Sequence, residues 1–345
     1  MARVEGEIGH GVNGQPRCGR AATDLRRASG RGAPSARRGL SGRRAEQPHR
    51  RFVPVSSARA EVIAVFGPTA SGKSAVAEAV AERLGTEVVS ADAMQVYRGL
   101  PILTNQPSTP TRLVGIRGLD EEMSLGAFAE LSHREIDALV HDRGAAVVCG
   151  GTGLYLRAAL ANLNVPPAVD PEARARVARE VDDDRDAAHR RLAELDPAAA
   201  EAVHPNDRKR LVRALELAGE GASLVANQHR LWGGETRLPT LTVGLEVAPD
   251  VLERRIRERT EAMFARGVVD EVRAALSGPV SHTAEKTLGL AEIAELGPDA
   301  LEPIVARTRR YAAYQRKWMR RIPDLVVLDG TRATGELADR IVELA

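Results

Sequence analysis

The sequence predicts an α/β fold of the P-loop NTPase-like kind: a mostly parallel sheet flanked by helices, with an inserted all-helical segment. Three observations carry that prediction. Five apolar residues, Val62 to Phe66, run into Gly67-Pro68-Thr69-Ala70-Ser71-Gly72-Lys73-Ser74 and then into an Ala/Val/Leu pattern at helical spacing, the strand–GxxxxGK[ST]–helix order of a phosphate-binding loop. Further short apolar runs recur between helical stretches, as in a doubly wound sheet. Residues 161–232 carry helical signals and no strand signal.

Ahead of the loop, residues 1–58 are rich in Arg, Gly, Ser and Ala with no sustained apolar periodicity, the pattern of a disordered basic extension. Residues 1–60 hold 13 Arg and no Lys against four acids; with a formal charge of +2 overall, the other 285 residues are net −7. The basic balance therefore belongs to the extension and gives no support to nucleic-acid binding by the folded part. An RNA-binding arm, a transit peptide and a dispensable extension or misassigned start all fit it; the last is preferred, because the fold starts cleanly at Glu61. Hydrophobic content of 43% and charged content of 28% are those of a soluble globular protein. No run approaches the roughly 20 apolar residues of a membrane span. Cys18 and Cys149 lack metal-type spacing, and Cys149, in an apolar run, reads as a buried thiol in a reduced cytosol. A cytoplasmic monomer is expected.

In the loop itself, residues 67–74 turn successive N–H groups and a helix N-terminus toward a polyphosphate. Lys73 adds a point charge, and the Ser74 hydroxyl can hold Mg²⁺. A second strand, residues 86–90, delivers Asp92, Ala93, Met94 and Gln95 to its carboxyl end, where α/β sheets bind their ligands. Asp92 can serve there as an N-cap, a magnesium ligand or a general base. Residues 98–123 read as a mobile loop, and 124–143 as a helix with Leu125, Phe128, Leu131, Ile136 and Leu139 roughly on one side. A third strand, 145–149, enters Gly150-Gly151-Thr152-Gly153, which serves packing or forms a second backbone cradle beside the first. Runs at 240–245 and 325–328 complete five strands. The expected organisation is a catalytic core of 59–160 and 233–345, including the C-terminal helices, interrupted by a helical insertion of 161–232.

Within that insertion, Asp170-Pro171 and Asp196-Pro197 are N-cap and first-turn pairs, and Asn206-Asp207 caps RKRLVRALEL. Asn206, Lys209, Arg210 and Arg213 cluster on one side of this helix, with Leu211, Val212, Leu215 and Ala218 opposite. Residues 308–321 interleave Tyr311, Tyr314 and Trp318 with five Arg and a Lys. Aromatic stacking combined with Arg–phosphate contact is how single-stranded RNA is usually held.

These pieces together resemble the tRNA dimethylallyltransferases. The resemblance rests on GPTASGKS (67–74), SADAMQVYRG (90–99), GGTGLYLRAAL (150–160), DPEAR (170–174), HPNDRKRLVRALEL (204–217), AMFARGVVDEV (262–272) and YAAYQRKWMRR (311–321), in family order. It implies transfer of a dimethylallyl group from its pyrophosphate to N6 of the adenine immediately 3′ of the anticodon, in tRNAs reading codons that begin with U. By similarity Asp92 is the base, Gln95 helps hold the flipped-out adenine, and Thr152 contacts substrate. Lys73 and Ser74 with Mg²⁺ hold the pyrophosphate. Residues 92–95, Arg174 and the 209–213 block (Lys209, Arg210, Leu211, Val212, Arg213) contact the tRNA anticodon stem-loop, as do Gln315, Trp318 and Arg320. Three segments depart from the family: Leu103-Thr104-Asn105-Gln106-Pro107 lacks its lysine, 115–120 lacks its paired histidines, and 287–292 replaces its late glycine motif. They bear on substrate-loop contacts and tRNA preference. Competing readings are a prenyltransferase of free adenine nucleotides, for which the basic insertion has little use; a small-molecule P-loop kinase, which needs an Arg-bearing lid; and a non-catalytic RNA-binding protein, for which the Lys73, Ser74 and Asp92 set has no purpose.

Overall fold

A computed structural model describes residues 59–163, 170–225 and 234–345. The basic extension and parts of the insertion, 164–169 and 226–233, lie outside the described residues. Six parallel strands form one sheet in the order β3-β2-β4-β1-β5-β6: β1 Val62–Phe66, β2 Val88–Ser90, β3 Thr111–Arg112, β4 Ala146–Gly150, β5 Thr240–Glu246 and β6 Val326–Asp329. The sixth, β3, is a two-residue edge strand inside the stretch read as a loop. It is too short for periodicity to reveal, and pairs with Val88 and Val89 of β2.

The central strand β1 is buried along its whole length, as a parallel strand covered on both faces must be. Val62, Ala64 and Phe66 pack with Phe128, Ile136 and Leu139 of α2 (Leu125–Arg143) and with α3 (Gly153–Leu160). Ile63 and Val65 face the other way, against Val76, Ala77 and Val80 of α1 (Lys73–Leu84) and Leu337, Ala338 and Ile341 of the last helix, Thr334–Leu344. That two-residue alternation assigns each side chain to a face, while the parallel pairing of β1, β2 and β4 puts the loops that follow them at one edge.

Four helices follow α3: α4 Pro171–Asp183, α5 Arg185–Leu195, α6 Pro197–Ala202 and α7 Arg208–Gly219. Each starts at an aspartate (Asp170, Asp184, Asp196, Asp207) whose carboxylate accepts from the backbone N–H three residues on, satisfying an otherwise orphaned donor. They gather their own apolar cluster around Val181, Leu192, Val203, Leu211 and Leu215. The chain then returns through β5 to α8 Pro249–Ala265, α9 Val268–Ala275, α10 Leu290–Leu296 and α11 Leu301–Met319, with Thr334–Leu344 as α12. No helix of the described residues is long and apolar enough to cross a membrane.

Candidate active site

The loop after β1 is held by its own backbone and by α11. Ser71 N donates to the Pro68 carbonyl at 3.1 Å, and Gly72 enters α1 at φ 89°, a left-handed turn that a β-carbon disfavours. Ala70 adopts the same region at φ 64°, which for a non-glycine residue costs about 1 kcal/mol or more. From below, Gln315 on α11 accepts the Thr69 N–H at 2.8 Å. Gly150 sits where a β-carbon would meet the Ala91 carbonyl oxygen at 2.6 Å, so the segments after β4 and β2 touch backbone to backbone.

One cavity of about 1200 Å³ collects the chemistry. Thr69, Ala70, Gly72, Lys73 and Ser74 line it beside Asp92, Ala93, Met94, Gln95 and Thr152. Burial pulls the Lys73 ammonium below its ordinary range, a shift opposed by Cys149 and Asp92 and furthered by Arg259. Cys149 is a buried free thiol, pushed up to about 11 by burial. The Asp92 carboxylate accepts from Met94 N at 3.0 Å through Oδ1, an Asx turn that fixes the side chain against the cavity. Thr152 is the N-cap residue of α3, yet its hydroxyl caps nothing; it bonds the Tyr311 hydroxyl at 2.8 Å instead.

Arg259 of α8 is the residue that sequence reading missed. It lines the same cavity, its Nε is buried with no hydrogen-bond partner, and burial lowers its pKa against the pull of Asp92. Two desolvated cations, Lys73 and Arg259, share one nearby carboxylate. A buried donor without an acceptor is costly, and an anion in the cavity removes that cost. The signal was present: Leu252, Ile256, Thr260 and Met263 define the buried face of α8, and Arg259 breaks that apolar face with a charge.

Several expected contacts are placed differently. Gln315, expected on RNA, is 2% exposed and props the phosphate loop, because Thr308, Ala312, Gln315 and Met319 form the inward face of α11. Leu211 and Val212 are buried at 0% and 5% in the apolar cluster of α4–α7, so they do not touch RNA; of that block, Lys209 and Arg210 are exposed and Arg213 is half-buried. Gln95 spends its amide on protein, accepting from Ser90 Oγ and donating to the Thr104 and Asn105 carbonyls. Both donors of the amide are thus used, and a hold on the adenine falls to the remaining lone pair of Oε1. Arg174 and Arg320 are exposed; Trp318 packs directly against Gly153 and meets the half-exposed Tyr314 edge to face.

The departure at 103–107 finds a local account. Gln106, in the lysine-less segment, donates through Nε2 to the Gln95 and Tyr97 carbonyls at 3.2 and 2.8 Å. A lysine could donate to the same oxygens, so a neutral amide suffices for that tie. Glu271 of α9 accepts the Ile102 and Leu103 N–H groups at 2.6 and 2.7 Å. The stretch read as a mobile loop is thus tied to the Asp92 segment on one side and to α9 on the other.

The chain is similar to known proteins over most of its length. The family model described as IPP transferase matches residues 95–322. A tRNA dimethylallyltransferase of Streptomyces griseus is 37% identical over 308 residues, covering 84% of this chain and 97% of the relative. One of Geobacter metallireducens is 39% identical over 291 residues, covering 78% and 92%. The crystal structure of the full-length tRNA isopentenylpyrophosphate transferase of Bacillus halodurans superposes with a TM-score of 0.59 at 28% identity, covering 83% of this chain and 95% of that one. A eukaryotic dimethylallyltransferase captured acting on tRNA superposes with a TM-score of 0.65 at 26% identity, covering 79% and 74%.

Proposed function

The chain belongs to the IPP transferase family, and on that premise we propose that it moves a dimethylallyl group from dimethylallyl pyrophosphate to N6 of an adenine in tRNA. The acceptor is the adenine immediately 3′ of the anticodon in tRNAs reading codons that begin with U. The observation that supports this best is the meeting, in one cavity, of the phosphate loop, Asp92 and the buried cations Lys73 and Arg259, with Lys209 of α7 on the same cavity's wall.

In the reaction the allylic C–O bond breaks and its electron pair leaves with the pyrophosphate. The N6 lone pair forms the new C–N bond, and the N6 proton passes to a base. Charge builds on the leaving group while the allylic carbon becomes cation-like, so fixed positive groups aimed at the pyrophosphate lower the barrier. Lys73, Arg259 and the loop N–H groups are those groups. The adenine amine is a weak nucleophile, because its lone pair is delocalised into the ring. Asp92, tied by Oδ1 to Met94 N, keeps its other oxygen available to take the proton. Tyr311 and Thr152, bonded to each other on the cavity wall, shape the space between donor and base.

Mg²⁺ fits the site as a partner of the pyrophosphate. Among the described residues no group of three or more His, Cys, Asp or Glu could hold a metal, whereas Mg²⁺ commonly uses one or two protein ligands plus phosphate oxygens and waters. The cavity supplies the Ser74 hydroxyl, and the buried Ser71 hydroxyl of the same loop has no partner. Ser74 would hold the ion, which supplies Lewis-acid neutralisation of the leaving pyrophosphate.

The helical insertion, 161–232, and the outward face of α11 serve as the grip on the anticodon stem-loop. Extruding the base from its stack is the usual way to bring such an atom to a buried carboxylate. The test offers labelled dimethylallyl pyrophosphate with either unmodified tRNA or AMP. Label in tRNA supports the proposal; label in AMP alone, or ATP turnover with neither, overturns it.

A further inference from the structure

On α7, Lys209, Arg213 and Glu216 follow one another at intervals of four and three residues and so lie along one side of the helix. Lys209 is exposed and Arg213 is half-buried. Glu216 is buried: its side chain is 0% exposed, at the edge of the apolar cluster that holds Leu211, Ala214 and Leu215. A carboxylate removed from water must be paired. Glu216 Oε2 accepts from Arg213 Nη1 at 3.1 Å, and Oε1 lies 3.5 Å from Arg174 Nε of α4 while making no hydrogen bond of its own. One buried acid thus spans two helices and engages two arginines.

The core alone does not call for this arrangement. Replacing a buried ion pair with apolar side chains of similar size is often neutral or stabilising. What an apolar residue could not do is fix the two guanidinium planes. Arg174 keeps 61% of its side chain exposed while its Nε faces Glu216, which turns the outer end of its fork to solvent. Around the pair, Lys209 and Lys286 line the cavity that holds Asp92, and Lys286 feels Lys209 and Arg174 as repelling charges, with Glu122 and Glu285 as attracting ones. Three segments of chain therefore bring cations together, with Glu216 beneath two of them. That combination suits a polyanion approaching from outside.

We propose that Glu216 is a positioning residue for RNA: braced by Arg213 of its own helix, it holds Arg174 so that the outer donors of that guanidinium meet a phosphodiester of the anticodon stem-loop. The proposal rests on the tRNA reading above and adds to it the device that orients the grip. Glu216 touches no substrate. Its effect reaches RNA through Arg174.

The experiment uses the full chain and compares wild type with Glu216→Gln and Glu216→Leu, each also in an Arg174→Ala/Arg213→Ala background. Binding of an unmodified anticodon stem-loop is measured over a salt series, and steady-state kinetics are run with tRNA and dimethylallyl pyrophosphate varied separately. Loss of an oriented, charge-assisted contact predicts a rise of about tenfold or more in KM for tRNA, no comparable change in KM for dimethylallyl pyrophosphate, and a salt dependence shallower by about one phosphate contact. The same substitutions add nothing once both arginines are gone. Thermal melting identifies which variant is folded, and the leucine variant keeps the test decisive where the glutamine strains the core. Wild-type KM and salt slope in a folded Glu216 variant overturn the proposal. So does a loss of equal size in the arginine-free background, which would mark a purely structural role. Failure of the wild type itself to bind the stem-loop would overturn the tRNA reading with it, so the two failures are distinguishable.

Discussion

At the scale of single residues, two side chains divide the work proposed for the cavity. Asp92 is oriented by one backbone N–H, and its second oxygen is the proposed proton acceptor. Asp92→Asn is expected to lower kcat by roughly 10²–10⁴ with tRNA affinity nearly unchanged, as separate binding and single-turnover measurements would show; a change confined to affinity would make Asp92 a binding residue. Arg259 carries a buried Nε with no partner and is assigned to the pyrophosphate. Arg259→Ala is expected to cost roughly 10²–10³ in kcat/KM for the donor, with KM for tRNA little altered. Gly150 offers a steric check: alanine there drives a β-carbon into the Ala91 carbonyl and pushes apart the strands that aim Asp92 and Thr152. It should lower donor turnover, read in the same assay. That the loop, Asp92 and Thr152 meet at one cavity was legible in the sequence, because each sits in a local motif. Arg259 and the inward turn of Gln315 were not, because both depend on which face of a long helix points to the core. Both helices do carry that information: the buried spacing of α8 is interrupted by Arg259, and that of α11 includes Gln315.

At the scale of elements, the edge of the sheet depends on charge. The two-residue β3 gains few backbone bonds from β2, and Arg112 reinforces it by bonding Glu87 at 2.7 and 3.1 Å and Glu135 at 3.1 Å. The Arg112 hydrogen bond holds the Glu87 carboxyl below its usual value of 4.5. As pH falls, the unfolded chain takes up this proton before the folded one does, so the stabilisation is complete above the unfolded value and is lost as pH falls through the folded one. Glu87→Gln is therefore expected to be less stable than wild type at neutral pH by about 1 kcal/mol or less, given the partial exposure of the pair. The gap should close in acid. Urea midpoints across the acid range measure it, and a gap that persists in acid would contradict the assignment. Sequence periodicity found β1 and β4, whose burial on both faces requires continuous apolar runs, and could not find β3, whose pairing is carried by backbone and one arginine. In the insertion, Asp170, Asp196 and Asp207 were readable as caps. Asp184 was hidden in a run of aspartates, of which the structure selects the one whose carboxylate reaches Ala187 N.

At the scale of the whole molecule, the sheet positions a phosphate loop and a carboxylate on one cavity, and α4–α7 bring cations to its wall. The cluster around Leu211 and Leu215 anchors α7 while Lys209 and Arg210 are exposed, so binding to tRNA is expected to weaken with salt in proportion to the phosphates contacted. The net charge of −7 on residues 61–345 does not oppose this, since the attraction is local to one face. The central claim is that donor cavity and RNA face act on one atom of one nucleotide. The most direct measurement is mass spectrometry of nucleosides, with the modified position mapped, from tRNA lacking this modification after incubation with the protein, Mg²⁺ and dimethylallyl pyrophosphate. The account predicts N6-dimethylallyl adenosine immediately 3′ of the anticodon in tRNAs reading codons that begin with U, and none with Asp92→Asn over the same time. Unmodified tRNA beside prenylated AMP, or no prenylated nucleoside at all, would contradict it.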